Sequence, residues 1–305
     1  MKALAAIDSS PCSQQVLDEI ARRPWPPDTT VCILHIVDWP QLPSSASLIP
    51  ALKQSANLLV ESAAKSLCKA GLQTATKVME GHPRIAVADY AKEWRADLVL
   101  VGSRGASGLA RFLLGSVAQA TLRRSPCSVE IVRRASQGSA AISGGMKILV
   151  ATDGSEGSMA AVSSVARRPW PSGSQIRLIS AIPVILAVGA PHPIPPVYLP
   201  SEVLETLQTQ ARIRAEAAVE RAHQILREAH IEPVKTGFLP IGDARQVILE
   251  EAKDWGADLI VVGSHGYHGI DRLMLGSVSE SVAMHAHCSV EVIRETRLTA
   301  SKESS

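Results

Sequence analysis

The residues best suited to chemistry are two glycine-rich loops. Gly102-Ser103-Arg104-Gly105 is followed, after nine residues, by Gly115-Ser116, and Gly263-Ser264-His265-Gly266 is followed, after nine residues, by Gly276-Ser277. Glycines let a backbone approach a ligand closely and adopt positive φ. Successive free N–H groups then form a nest for an anion. Each Gly-Ser pair is placed to open a helix, whose N-terminus favours phosphate. The hydroxyls of Ser116 and Ser277 either cap that helix or donate to a phosphate oxygen. The alternative for each loop is a plain turn from strand to helix. Their recurrence at one spacing strengthens the phosphate reading, although shared ancestry would also produce it.

Other chemistries are less well supported. No Gly-Lys-Ser or Gly-Lys-Thr occurs, which excludes a Walker-type phosphate loop. No general base or arginine finger recurs at fixed spacing, so no catalytic residue is expected. His285-Ala286-His287-Cys288 resembles a metal cluster, but the matching positions are Arg124, Pro126 and Cys127, and no metal site is expected there.

The elements that must position these loops come from an internal repeat. Arg22-Arg23-Pro24-Trp25-Pro26 recurs as Arg167-Arg168-Pro169-Trp170-Pro171, at an offset of 145. Ala91-Lys92-Glu93-Trp94 and Cys127-Ser128-Val129-Glu130 recur as Ala252-Lys253-Asp254-Trp255 and Cys288-Ser289-Val290-Glu291, at an offset of 161. The second copy therefore carries 16 extra residues, and the Pro-rich stretch from Pro183 to Pro200 is the place for them. That stretch reads as a lid, an interface or a disordered excursion. The matched tryptophans read as packing residues.

In copy one, apolar runs predict strands over 2–8, 31–37, 72–79, 97–101 and 128–132. Copy two gives 147–153, 175–182, 232–239, 258–262 and 289–293. Helices are expected from Ser10-Pro11 to about Arg22, over 52–69 and 204–229, from Pro83 and Asp243, and from Ser116 and Ser277. This alternation predicts an α/β fold with a parallel sheet and helices on both faces. Domain one is expected over 1–134 and domain two over 146–296, with a small, Gly-rich linker at 135–145 and a polar tail at 297–305.

The pattern Gly-x-x-Gly, nine residues, Gly-Ser resembles the phosphate-binding signature of the ATP-binding class of universal stress proteins, once in each copy. Val-Gly-Ser-Arg-Gly at 101–105, Val-Gly-Ser-His-Gly at 262–266 and Gly154-Ser155 after Asp153 carry the likeness. The resemblance implies two tandem Rossmann-like (adenine nucleotide alpha hydrolase-like) domains, each a five-stranded sheet of order 3-2-1-4-5. Ligands would then bind at the switch between strands one and four. It implies that Asp8 and Asp153 contact the adenine and ribose side and that the backbone of Val37 and Ile182 flanks adenine. Gly102, Gly105, Gly115 and Ser116 would hold ribose and phosphates in copy one, and Gly263, Gly266, Gly276 and Ser277 in copy two. Turn or helix-cap aspartates are the alternative for Asp8 and Asp153. Arg104 is permanently charged and suited to phosphate, whereas His265 is so only when protonated; both are equally consistent with a solvated loop. Copy one has Asp8-Ser9-Ser10 where copy two has Asp153-Gly154-Ser155, which makes site one the less certain of the two.

The implied ligand is ATP, with Mg²⁺, and ADP or AMP are alternatives. The implied role is a nucleotide-dependent regulator of stress or dormancy responses. A slow ATPase or phosphotransferase and a nucleotide-free scaffold are the alternatives. The family's assembly implies an intramolecular pseudo-dimer through the last strands, and possible pairing of two chains. A net charge of +2 gives no reason to expect nucleic acid or acidic membranes as partners. Five cysteines without a CxxC, and no long apolar run, point to a reduced cytoplasmic chain.

Overall fold

The computed structural model describes residues 1–38, 49–105, 114–133, 145–185, 200–234, 239–266 and 275–294. Residues 135–144 of the linker expected at 135–145, the tail expected at 297–305 and residues 186–199 of the Pro-rich insertion lie outside them. The chain forms two compact units, Met1–Arg134 with Val292–Ser305, and Ala135–Glu291.

In the first unit the order is β1 (Lys2–Ala6), α1 (Pro11–Arg22), β2 (Thr30–Val37), α2 (Ile49–Lys69), β3 (Gln73–Glu80), α3 (Pro83–Trp94), β4 (Leu98–Gly102), α4 (Ser116–Arg124) and β5 (Ser128–Val132). The strands lie in the order β3-β2-β1-β4-β5, all parallel, with Ala3 opposite Val31 on one side and Leu98 on the other. Ala3–Ala5 of β1 and Leu98–Val101 of β4 are buried and apolar, as a sheet covered on both faces requires. α2 covers one face through Ala56, Val60, Ala63 and Leu67, a spacing of three and four that lines a single helix stripe.

In the second unit β6 (Lys147–Ala151), α5 (Glu156–Arg167), β7 (Gln175–Ile179), α6 (Ser201–Glu228), α7 (Ala244–Trp255), β8 (Leu259–Gly263), α8 (Ser277–His285) and β9 (Ser289–Ile293) follow the same plan. Their order is β7-β6-β8-β9, four strands among the described residues. Of the strand expected over 232–239, residues 232–234 are irregular and 235–238 lie outside the described residues. Both flanks still pair with the sheet edge. Val234 N donates to Ile176 O at 2.7 Å, and Ile182 forms a parallel bridge with Ile241. Pro233 and Pro240 each remove a ladder donor and restrict the residue before them. The corresponding β3 contains no proline.

The repeated sequence blocks are scaffold. Arg23 in the first block meets Glu130 in the last. Its Nη1 and Nη2 donate to the Glu130 carboxylate at 2.9 and 2.5 Å, and its Nε to Glu19 at 2.6 Å. In the second unit Arg168 meets Glu291 at 2.8 Å. Trp25 and Trp170 each donate to a carbonyl near the end of the preceding helix, those of Ile20 and Val165. Lys2 and Lys147 lie over the rings of Trp94 and Trp255 and donate to those residues' carbonyls.

Candidate functional site

In each unit the first strand ends beside the loop that follows the fourth. Asp8 lies two residues beyond β1, where Ser10 N and Ser13 Oγ donate to its Oδ1 at 2.9 and 2.8 Å. In unit two, Ser155 N and Oγ donate to Asp153 Oδ1 at 3.0 and 2.5 Å. Both aspartates thus make the turn that opens α1 or α5, as the cap alternative expects. They also face the glycine loops. A methyl group at Gly105 would come within 2.9 Å of Asp8 Oδ2, and one at Gly266 within 2.5 Å of Asp153 Oδ2. A side chain at either glycine would displace the carboxylate facing it.

The second half of each motif folds back onto the first. Gly115 N donates to Ser103 O and Gly276 N to Ser264 O, both at 2.8 Å. A methyl group at Gly115 or Gly276 would meet those same carbonyls at 3.2 and 3.1 Å. Gly115 and Gly276 are the N-caps of α4 and α8, with no side-chain cap. Ser116 and Ser277 are therefore the first helical residues, both exposed, and neither caps its helix. The first-turn N–H groups of these helices need an acceptor from elsewhere, which water or an anion supplies. Gly102 and Gly263 end β4 and β8 against the first turns of α1 and α5. Arg104 is exposed, and His265 is half-buried with Nδ1 2.9 Å from Ser264 Oγ.

The backbones of Val37 and Ile182 are engaged in hydrogen bonds at the sheet edge. Val37 O accepts from Gly81 N, while Ile182 donates to Pro240 O and accepts from Gly242 N. The Ile182 amide is thus committed to Pro240, and its side chain packs with Ala211 and Ala215.

Sequence reasoning missed Ser13 and Ser158, whose hydroxyls accept from Asp8 N at 2.7 Å and from Gly154 N at 3.2 Å. Their signal was a serine five residues after the aspartate in both copies. It also missed Arg221 of α6, whose Nη1 donates to Gly154 O at 3.4 Å. Among the described residues, no group of His, Cys, Asp and Glu could hold a metal ion, and no helix is long and apolar enough to cross a membrane.

The model of the universal stress protein family matches residues 1–133 and again 146–294. The chain belongs to the universal stress protein family. A universal stress protein of Mycolicibacterium smegmatis is 29% identical over 301 residues, covering 95% of this chain and 96% of the relative. One from Mycobacterium tuberculosis is 30% identical over 203 residues, 66% of this chain and 63% of the relative. The crystal structure of a universal stress protein from Archaeoglobus fulgidus shares the fold, with a TM-score of 0.64 at 19% identity over 96% of each chain.

Proposed function

We propose that this universal stress protein binds an adenine nucleotide, ATP before ADP or AMP, against its glycine loops and acts as a nucleotide-dependent regulator of stress or dormancy responses. The observation that carries this reading is the same in both units. An aspartate leaving the first strand faces a glycine across a gap that a methyl group would close, beside a helix whose first turn has no side-chain cap. The residues present fit a nucleotide. Asp8 or Asp153 accepts hydrogen bonds from ribose or adenine donors. Gly102, Gly105 and Gly115, or Gly263, Gly266 and Gly276, offer backbone to the phosphates, joined by Ser116 or Ser277. Arg104 and protonated His265 add positive charge at matching positions. The backbone of Val37 and Ile182 would flank the base. Mg²⁺ bound with ATP would neutralise phosphate charge.

In this reading, domains 1–134 and 146–296 are joined by the linker at 135–145, pair with each other as a pseudo-dimer, and work in the cytoplasm. A homodimer of chains is the next level of assembly. The test is calorimetric titration of ATP with Mg²⁺ into nucleotide-stripped protein, beside a Gly276→Val variant. Binding by the parent and its loss at the second unit in the variant supports the reading. An absence of binding by ATP, ADP and AMP leaves a scaffold on an inherited fold. Phosphate release at a steady rate would replace the regulator with a slow ATPase.

A further inference from the structure

The two cradles are not equivalent, and three differences between them fall on one side. The first is at the helix that opens beside the aspartate. Gly157, in the first turn of α5, lies so close to the loop that a methyl group there would come within 2.6 Å of His265 O. The same place in unit one holds Cys12, which is buried and carries a Cβ of its own; a methyl group added at Gly102 would meet that Cβ at 2.8 Å. With a real Cβ present, the Arg104 carbonyl has no room to rest on residue 12 as the His265 carbonyl rests on Gly157.

The second difference shows the effect of that wedge. In unit two the Ser155 hydroxyl donates to Asp153 Oδ1 at 2.5 Å, accepts from Ser158 N at 3.3 Å and reaches His265 O at 3.4 Å. It ties strand end, helix cap and glycine loop together. Ser10 holds the same place in unit one and is equally buried, yet its hydroxyl has no hydrogen-bond partner. A buried hydroxyl left unpaired costs free energy that its counterpart does not pay.

The third difference is in the turn after the first strand. Gly154 has φ +86°, and its carbonyl receives Arg221 of α6. Ser9 stands there in unit one and is not among the residues at positive φ, which besides glycines are Asp28, Arg95 and His230 among the described residues. The ends of α2 and α6 superpose through the matching bonds Leu72 N to Leu67 O and Ile231 N to Leu226 O, which sets Ser62 opposite Arg221. Unit one therefore lacks that turn and the α6 cation, while its loop carries Arg104 where unit two has His265.

We infer that the chain has one working nucleotide site, in the second unit, and that Cys12, Ser9 and the loss of the Arg221 cation disable the first. This rests on the nucleotide reading above and assigns it to a place. A cradle held in shape before binding loses less freedom when the ligand arrives, and a cation on its rim favours a polyanion. Unit two has both properties.

The experiment is ATP titration of the full chain with and without Gly157→Cys, combined with photolabelling of the parent by 8-azido-ATP and mapping of the labelled peptides. The expected result is one ATP per chain, affinity at least tenfold weaker in Gly157→Cys, and label confined to peptides of 146–296. Labelling of the unsubstituted protein keeps the test valid if Gly157→Cys fails to fold. Two ATP per chain, or label in peptides of 1–134 to a similar extent, overturns the inference while leaving nucleotide binding intact. No binding at all overturns the nucleotide reading itself, and this inference with it.

Discussion

The most demanding structural test is removal of Arg23. Its guanidinium is the cation that Glu130 faces at the centre of unit one: their side chains are 4% and 0% exposed, and two bonds of 2.9 and 2.5 Å join them. Taking one member from such a pair costs about 3–5 kcal/mol, because the remaining charge stays buried. Arg23→Met should reach that range, since it deprives both Glu130 and Glu19 of one guanidinium. Glu130→Gln should cost less, because Glu19 still accepts from Arg23 Nε at 2.6 Å. Arg23→Met with Glu130→Leu should recover most of the loss, as apolar replacement of a whole buried pair is often neutral. In unit two, Arg168 is more exposed, at 11%, and makes a single 2.8 Å contact with Glu291, so Arg168→Met should cost about half as much. A two-unit chain need not unfold in one step, so the assay is native-state hydrogen exchange resolved by peptide, reading α1 and β5 apart from α5 and β9. A loss under about 1 kcal/mol in Arg23→Met, or a double variant as unstable as the single one, would refute the assignment of this pair as the buried anchor between α1 and β5.

Three further outcomes are expected. Arg95 ends α3 at φ 56°, where Gly256 ends α7 at φ 69°, so Arg95→Gly should stabilise unit one by about 0.5–1 kcal/mol, read by thermal unfolding; a destabilisation would show that the Arg95 side chain matters more than its backbone strain. Asp243 caps α7, and the Arg245 side chain bonded to it, helped by the Arg245 and Gln246 amides, holds its carboxyl down at about 2. A folded-state value below the unfolded one, about 3.9, gives stability that is complete above that value and fades as pH falls toward 2. With the group largely in solvent this is worth about 1 kcal/mol or less, and Asp243→Asn should flatten the acid limb of unit two's unfolding curve between pH 4 and 2. Finally, Cys68 is exposed while Cys12, Cys32, Cys127 and Cys288 are buried, and burial pushes the Cys127 thiol up to about 12. Ellman's reagent should find one fast thiol in the folded chain and five after denaturation; a second fast thiol would mean that one of the buried positions opens.

How far the sequence could be read depended on how local each signal is. The starts of α4 and α8 at Ser116 and Ser277, the Asp243 cap and the bounds of β5 and β9 are written in adjacent residues, and the structure has them where the pattern places them. At the edge of unit two, only the flanks of the strand expected over 232–239 lie among the described residues, and they pair there through Val234 and Ile241. The Arg23 to Glu130 contact spans 107 positions, and nothing within either repeated block indicates that it meets the other.

The same distinction sorts the repeat itself. The residues that recur in both copies, the second arginine of the Arg-Arg-Pro-Trp-Pro block, its tryptophan and the glutamate of the Cys-Ser-Val-Glu block, all make contacts within the scaffold. Such contacts are needed wherever the fold is built, so both copies keep them whether or not either one binds anything. The departures Ser9 for Gly154, Cys12 for Gly157 and Ser62 for Arg221 converge from three elements on a single cradle. Identity in those blocks therefore reports the fold, and a difference in what the two copies bind has to be read from the positions where they part.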